Sequence, residues 1–385
     1  MLGLENTSEK AYEILRDYDF DNLVIATICS HTDLQLNYGA KQEGFKTLGI
    51  VIRDDPDKKK KFYQQAFPKA IPEYFIEVDS YKDILKPGIQ EELIEKNTII
   101  VPHGSFVEYV GADDIIKDVY FPVFGNKRAL PWESNRKKER IWLEGAGLSM
   151  PKKIKKPEEI DGPAMIKRHG AKGGKDFFVV KSPEEFFERM KNKKYKLKDL
   201  DIQEFVMGTR YYPHFFYSPI QKNSPTEIKG YESGKGILQL MSMDRRDETT
   251  IDEVQRLGSI RELEEYGIHP TFVVTGNIPI VMRESLLPKL FCMANAVIEK
   301  ADVLFGGIPG PLCLETVVDE NLNFRTFEIS ARIVAGTNPF VPGSPYSVYI
   351  DKDLSTGRRI AQEIKFANNS YQEEKDFNIW KEIIS

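Results

Sequence analysis

Several things are scarce in this chain. Only three cysteines, Cys29, Cys292 and Cys313, occur in 385 residues, far apart and each in an apolar context. That excludes a disulfide framework or a paired zinc spacing and predicts reduced core residues. Long hydrophobic runs are missing, and no apolar stretch approaches the length of a membrane span. The N-terminal segment MLGLENTSEKAYEILRDYDF is charged and lacks the apolar core of a signal peptide. Positive charge is not in excess. The net charge is −5, so no global basic field attracts nucleic acid. These absences predict a cytoplasmic protein with neither a membrane nor a nucleic-acid partner. Histidine is also sparse, five in all, which gives weight to those that fall in turns.

What is present is an ordinary globular composition, 41% hydrophobic and 29% charged, over a length sufficient for two or three domains. The stretch that organises the rest is GPLCLETVVDENLNFRTFEISARIVAGTN, from Gly310 to Asn338. It reads as two strands joined by a turn at Asp319-Glu320-Asn321. Alternation places Leu312, Leu314 and Thr316 on one face and Cys313 and Glu315 on the other. In the return strand Phe324, Thr326 and Glu328 share a face. Glu315 and Glu328 then lie on paired strands and can point the same way. Two close carboxylates repel unless a cation lies between them, and a hard divalent ion shared with nucleotide phosphates would serve. Ser330, Arg332 and the Gly336-Thr337-Asn338 turn follow, with hydroxyl, guanidinium and backbone N–H groups. The plainer alternative is a surface hairpin whose glutamates face water.

The N-terminal third predicts a parallel sheet. Residues 6 to 18 read as a helix, Leu23 to Ile28 as a strand, Asp33 to Glu43 as a helix closed by Gly44, and Thr47 to Ile52 as the next strand. Further strands are expected at Tyr74 to Val78, Thr98 to Val101 and Phe121 to Phe124. The turns Ser30-His31-Thr32 and His103-Gly104-Ser105 both fall at strand C-terminal ends, each before a helix, where open parallel sheets bind phosphorylated ligands. Plain N-capping by Ser and Thr is the alternative. The basic segment Arg136 to Arg140 predicts a solvated helix face.

The second part changes character. Pro163 to Lys167 and Asp176 to Val180 read as strands around a glycine loop, Arg168 to Lys175. A loop between two strands is neither a P-loop nor a Rossmann fingerprint, but it can fold over phosphates. Ile202 to Gly208 is an apolar segment suited to an adenine edge. Strands are expected at Tyr211 to Tyr217, Gly236 to Met243 and Thr271 to Ile280. Gly276 in the last signals a bulge or a close approach. Helices are expected over Ser285 to Lys300 and Ser355 to Ala367.

This order of parts resembles the ATP-grasp superfamily: a βαβ unit, Lys167, a strand–glycine loop–strand, the Glu204-Phe205-Val206 hinge, then two carboxylates on adjacent strands and Arg332. The segments ATICSHTDLQLNYGAKQEGFKTLGI, IIVPHGSFVEYVG, FPVFGNKRALPWES, GNIPIVMRESLLP and FEISARIVAGTN are similar to the archaeal formate-dependent 5-formaminoimidazole-4-carboxamide ribonucleotide synthetase family of purine synthesis. The resemblance covers nearly the whole chain.

It implies an α/β and α+β architecture. A Rossmann-like domain would span residues 1–125 and an ATP-grasp domain 126–385, with a lid at about 150–217. It implies an ATP-dependent ligase joining formate to aminoimidazole carboxamide ribonucleotide through formyl phosphate, as a homo-oligomer. It assigns the nucleotide substrate to His31, Thr32, Ser105 and Asn277. ATP goes to Lys167, Gly173, Gly174, Glu204, Phe205, Val206 and Arg210, and Mg²⁺, or Mn²⁺ in its place, to Glu315 and Glu328. Lys167, Arg332 and His31 carry the catalytic roles. Two departures stand out: Asp176 and Phe177 occupy places where a further glycine and a tyrosine are expected, and Arg210 has no evident partner. A paralogue with another carboxylate or amine, or a nucleotide-binding regulator without turnover, are the rival readings.

Overall fold

Apolar runs flanked by turn residues become strands here, and the central ones of the first sheet are buried on both faces. In this computed structural model, residues 2–54, 59–168, 177–191, 196–222, 230–253, 271 and 273–385 are described. Strands β1 (Val24–Ile28), β2 (Lys46–Ile52), β3 (Tyr74–Val78) and β4 (Thr98–Ile100) form a parallel sheet in the order β3-β2-β1-β4. Every residue of β1 is buried, as a doubly covered parallel strand requires. The expected βαβ unit is present: a helix over Asp33–Gln42 links β1 to β2, and Gly44 follows it at φ 90°. The strand expected at Phe121 to Phe124 is not continuous. Val123 bridges Ile100 and Phe124 bridges Ile384, but Pro122 has no N–H to extend a ladder.

A small antiparallel sheet follows, built from β5 (Ala164–Arg168), β6 (Phe177–Val180) and β7 (Leu200–Glu204) in the order β6-β5-β7. It has its own core of Ile160, Ala164, Ile166, Val180, Phe186, Leu200 and Ile202. The loop that carries Gly173 and Gly174 lies outside the described residues.

The third sheet is antiparallel. It contains β8 (Thr209–Ser218), β9 (Tyr231–Ser233), β10 (Gly236–Glu248), β11 (Val274–Pro279), β12 (Gly310–Val318) and β13 (Phe324–Ser330). The order is β11-β10-β8-β12-β13, with β9 paired to β10. One face packs on the helices Arg136–Gly145 and Leu287–Phe305, in a core that includes Trp142, Phe215, Leu290, Val297, Leu312 and Leu314. Pro288 sits in the first turn of the second helix, where its missing N–H costs nothing. Cys29 and Cys313 are buried, but Cys292 is exposed, because it falls on the outer face of that helix.

The hairpin departs from strict alternation in one respect. Glu315 pairs with Glu328, but Thr316 pairs with Thr326, so Phe327 is an extra residue in β13. This bulge reverses the faces beyond it. Phe324 packs in the helix-side core with Leu312 and Leu314, whereas Phe327 packs with Tyr212 and Cys313 on the opposite face. Phe324 and Glu328 therefore do not share a face, contrary to the simple pattern. The bulge is what brings Glu328 round to Glu315.

The bulge foreseen near Gly276 is also present: Asp247 pairs with Gly276 and Glu248 with Val274, skipping Thr275.

The C-terminal helix, Thr356–Glu374, crosses the helix Asp33–Gln42 closely. A Cβ on Gly39 would lie 2.2 Å from the Arg358 backbone nitrogen. A shared core of Leu15, Ile25, Ile99, Phe216, Met241, Ile360 and Trp380 joins the parallel sheet to the large one. At its centre is a fully buried ion pair, Arg359 to Glu363 at 2.9 Å. Glu363 also accepts from Ser218 Oγ (2.6 Å) and Gln221 Nε2 (2.9 Å), and Arg359 Nε donates to Gln239 Oε1 (2.8 Å). Removing one partner strands the other charge in the core. Glu363→Ala is expected to lower the unfolding free energy in urea by about 3–5 kcal/mol. A loss of less than about 1 kcal/mol, the worth of an exposed pair, would contradict this account.

Candidate active site

Both N-terminal turns sit at the C-terminal edge of the parallel sheet. Ser30 Oγ donates to Ser105 Oγ at 3.1 Å, tying the turns together. The His31 and His103 rings stack with centroids 5.3 Å apart. His31 adopts φ 61°, a left-handed conformation uncommon for a residue with a side chain. Gly104 makes room for it: a Cβ there would lie 3.0 Å from His31 Nε2 and 3.7 Å from Arg332 Cζ.

Thr32 is buried and begins the helix without a capping hydrogen bond from its side chain. Its Oγ1 lies 3.3 Å from His31 Nδ1. Plain capping does not account for it.

His103 is fully buried. Its Nε2 donates to Ile28 O (3.0 Å) while its Nδ1 accepts from Ser105 N–H (3.2 Å), which fits only the neutral ring. Burial lowers its pKa to about 4, with Arg332 adding to the effect. His31 is neutral for related reasons: burial in the recess first, then His103, Arg332 and Arg246 lower its pKa. His31 is itself exposed, and solvent screening weakens that lowering.

Across from these turns lies the face of the large sheet that carries the paired glutamates. Glu315 is 3% exposed, whereas Glu328 opens to solvent. Burial and the charge of Glu328 push the Glu315 carboxyl up to about 7, against the pull of Arg246. Arg246 Nη2 lies 2.6 Å from Glu315 Oε1. Two facing carboxylates with one guanidinium to balance them suit a hard divalent cation. Among the described residues no set of three His, Cys, Asp or Glu side chains forms a closed metal site. Phosphate and water oxygens would complete the shell, the usual arrangement for Mg²⁺.

Lys167, on the small sheet, reaches toward the same place. Its Nζ lies 6.0 Å from the Phe327 ring centroid, beside Glu328. Burial and then Arg136 lower its pKa, opposed by Glu328 and Asp201.

Four further residues were not singled out in the sequence. Glu133 and Glu139, from the helices Leu130–Ser134 and Arg136–Gly145, accept the Ala331 N–H (2.6 Å) and the Ile329 N–H (2.8 Å). They cap the open edge of β13 on either side of Ser330 and so fix Glu328 and Arg332. Glu133 also pairs with Arg332 Nε at 3.1 Å. Glu139 belongs to a segment that reads as a solvated basic face, yet it is buried, and burial followed by Glu328 raises its pKa. Asp244 is buried between His214 Nε2 (2.5 Å) and Asn277 Nδ2 (2.7 Å), and Gly336 packs directly on its carboxylate. It fixes Asn277 beside the Gly336-Thr337-Asn338 turn, from which Asn338 Nδ2 donates to His31 O at 3.3 Å. The fourth, Arg246, stacks on Tyr212 with its Cζ 4.1 Å from the ring centroid, and stands directly opposite Asn277. A signal for Glu133 and Glu139 existed, two acids in an otherwise basic stretch, but their partners lie nearly two hundred residues away.

The hinge is narrower than its sequence suggested. Glu204 N–H donates to Lys152 O and Phe205 N–H to Pro163 O, and the Glu204 carboxylate accepts from Lys152 N–H. Of the three hinge amides, only that of Val206 lacks a partner among the described residues. Arg210 does have a partner: Nη1 lies 2.5 Å from Glu248 Oε1.

A parallel sheet, a small antiparallel sheet carrying Lys167 and a large antiparallel sheet carrying an acidic pair define an ATP-grasp protein. Solved structures agree. The chain resembles "Crystal structure of an IMP biosynthesis protein PurP from Thermococcus kodakaraensis" with a TM-score of 0.66 and 25% identity, over 94% of this chain and all of that one. It shares its fold with the N5-carboxyaminoimidazole ribonucleotide synthetase of Thermotoga maritima (TM-score 0.55, 13% identity, 89% and 76% covered). Two family models match, "Domain of unknown function (DUF1297)" over residues 180–375 and "Protein of unknown function (DUF1246)" over 25–154. Proteins of Methanococcoides burtonii and Methanosarcina acetivorans are each 53% identical to it, over 93% and 96% of this chain and 96% and 99% of theirs. A Methanocaldococcus jannaschii protein is 42% identical over 94% of this chain and 96% of its own. All three are named 5-formaminoimidazole-4-carboxamide-1-(beta)-D-ribofuranosyl 5'-monophosphate synthetase, and this chain belongs to that family.

The buried neutral histidine has a measurable consequence. A folded pKa near 4 against an ordinary 6.5 means that stability from His103 is complete above pH 6.5 and is lost as pH falls through 4. Urea unfolding between pH 7 and 4 should show a steeper loss for the wild type than for His103→Asn. Parallel pH dependences in the two proteins would contradict the assignment.

Proposed function

We propose that this protein formylates 5-aminoimidazole-4-carboxamide ribonucleotide with formate at the expense of ATP, on the route to IMP. One observation supports the reading: in a chain of this family, the Glu315–Glu328 pair, Lys167, Arg332 and the His31 turn lie near one another. Residues 1–125 form the nucleotide side and 126–385 the ATP side, with a lid at about 150–217. The working form is a cytoplasmic homo-oligomer. Among the described residues no helix is long and apolar enough to cross a membrane.

A formate oxygen attacks the γ-phosphorus, the bond to the bridging oxygen breaks, and ADP and formyl phosphate result. The ring amine then adds to the formyl carbon and loses a proton, and phosphate departs. Lys167 and Arg332 offset the charge spread over the transferring phosphoryl group. Glu315 and Glu328 would hold Mg²⁺, or Mn²⁺, which supplies further charge neutralisation when bound. Val206 offers the adenine a backbone N–H that has no partner among the described residues. By the family resemblance Gly173 and Gly174, which lie outside the described residues, and Arg210, paired with Glu248, would also serve ATP.

The amine is conjugated with its ring and is a poor nucleophile, so orientation supplies much of the rate. His31, Thr32, Ser105 and Asn277 form the nucleotide pocket. His31, already neutral, is suited to orient the substrate or to take the amine proton.

The test is ADP release and product mass with ATP, Mg²⁺ and formate, with and without the aminoimidazole nucleotide. Formylated product from the wild type and its loss in Glu328→Gln, by at least about 10²-fold in kcat, are expected. ADP release without formylated product would assign the site to a different acid or acceptor. ATP binding with no turnover in any combination would leave a nucleotide-binding regulator.

A separate expectation concerns His31→Asn. Orientation alone predicts a loss in kcat with an unchanged pH profile. Proton transfer predicts loss of an ionisation from the acidic limb.

A further inference from the structure

The proposed reaction needs a group that recognises a carboxylate with one carbon and nothing else to hold. Such recognition falls to a planar guanidinium, which can meet both carboxylate oxygens at once. Arg332, beside Gly104, and Arg246, on Glu315, both lie near the His31 turn and the acidic pair, and they are not equivalent. The Nε of Arg332 faces the buried Glu133 carboxylate at 3.1 Å, its Nη1 is enclosed, and the side chain is 16% exposed. It is fixed and largely covered. Arg246 is more open, at 24%. Its Cζ lies 4.1 Å from the Tyr212 ring centroid, and one Nη is held by Glu315.

Position separates them further. Arg246 pairs across strands with Asn277, on the nucleotide side, and at the same time touches Glu315, on the side of the phosphates. Among the described residues it is the one cation in ion-pair contact with either glutamate of the pair. Formyl transfer has to occur between those two sides. A cation bound at Glu315 would compete with the guanidinium for that carboxylate and leave its N–H groups to an incoming anion.

We propose that Arg246 is the residue that binds the one-carbon carboxylate substrate, and that it then donates to the oxygen of the formyl group as charge builds there during amine attack. This rests on the reaction proposed above. A donor aimed at a developing oxyanion in a water-poor site acts on kcat, while the grip on the free carboxylate acts on KM.

The test compares Arg246→Lys, which keeps the charge and loses the fork, with Arg246→Gln and with Arg332→Gln. Wild-type turnover with formate is established first. Its absence would sink the reaction assignment, whatever Arg246 does. With it in place, both Arg246 variants are expected to raise the KM for formate about tenfold or more and to lower kcat by about 10²-fold. The KM for ATP should stay within about twofold and Mn²⁺ affinity, read by electron paramagnetic resonance, should be unchanged or tighter. Guanidinium ion added to Arg246→Ala should restore part of the rate. Arg332→Gln should lower kcat and leave the formate KM alone.

An unchanged formate KM in Arg246→Lys and Arg246→Gln overturns the proposal. So does a loss of Mn²⁺ affinity that matches the loss of rate, since Arg246 would then serve only to orient Glu315.

Discussion

Two carboxylates placed face to face on neighbouring strands repel each other, and much of this architecture answers that repulsion. Burial makes the problem worse for Glu315, whose carboxyl rises to about 7, and Arg246 makes it tolerable at 2.6 Å. The pair exists only because β13 carries one extra residue, Phe327. Without the bulge Glu328 would turn into the helix-side core beside Leu312 and Leu314, where a charge has no partner. Placement of the acidic pair is therefore a backbone property first and a side-chain property second.

The edge of β13 is the second requirement. An edge strand has unpaired amides and tends to fray or to recruit other strands. Here the N–H groups of Thr326, Ile329 and Ala331 are taken by Ser149 O, Glu139 and Glu133. The helices that supply the two glutamates pack on the far face of the same sheet, so a single packing layer both covers the core and holds Glu328 and Arg332. Two more buried acids lie near the pair; burial first, with Glu328 adding to it, raises the pKa of each.

The parallel sheet joins this centre at its own binding edge. His103 bridges Ile333, Gly104 lets His31 and Arg332 approach each other, and Asn338 reaches His31 from the opposite side. The shared core around Arg359 and Glu363 joins the two sheets, so the His31 and His103 turns and the acidic hairpin are held against each other.

Local periodicity and turn chemistry were enough, from the sequence, to set out the βαβ unit, the strands on either side of the glycine loop, the two strands that carry Glu315 and Glu328, and the two histidine turns. Those features depend on neighbours within a few residues, and residue types record such neighbours directly. The Phe327 bulge was not legible, because nothing in FRTFEIS distinguishes a strand that keeps alternation from one that skips a step. Glu139 reads as one acid in a basic surface helix, and Arg246 as one charge in MDRRDE. Their roles come from partners 190 and 69 residues away. The amino-acid order determined which groups the site contains. Only the packing of three sheets decided which carboxylate is buried, which arginine is held and which is open, because burial and ion pairing are properties of contacts that close last.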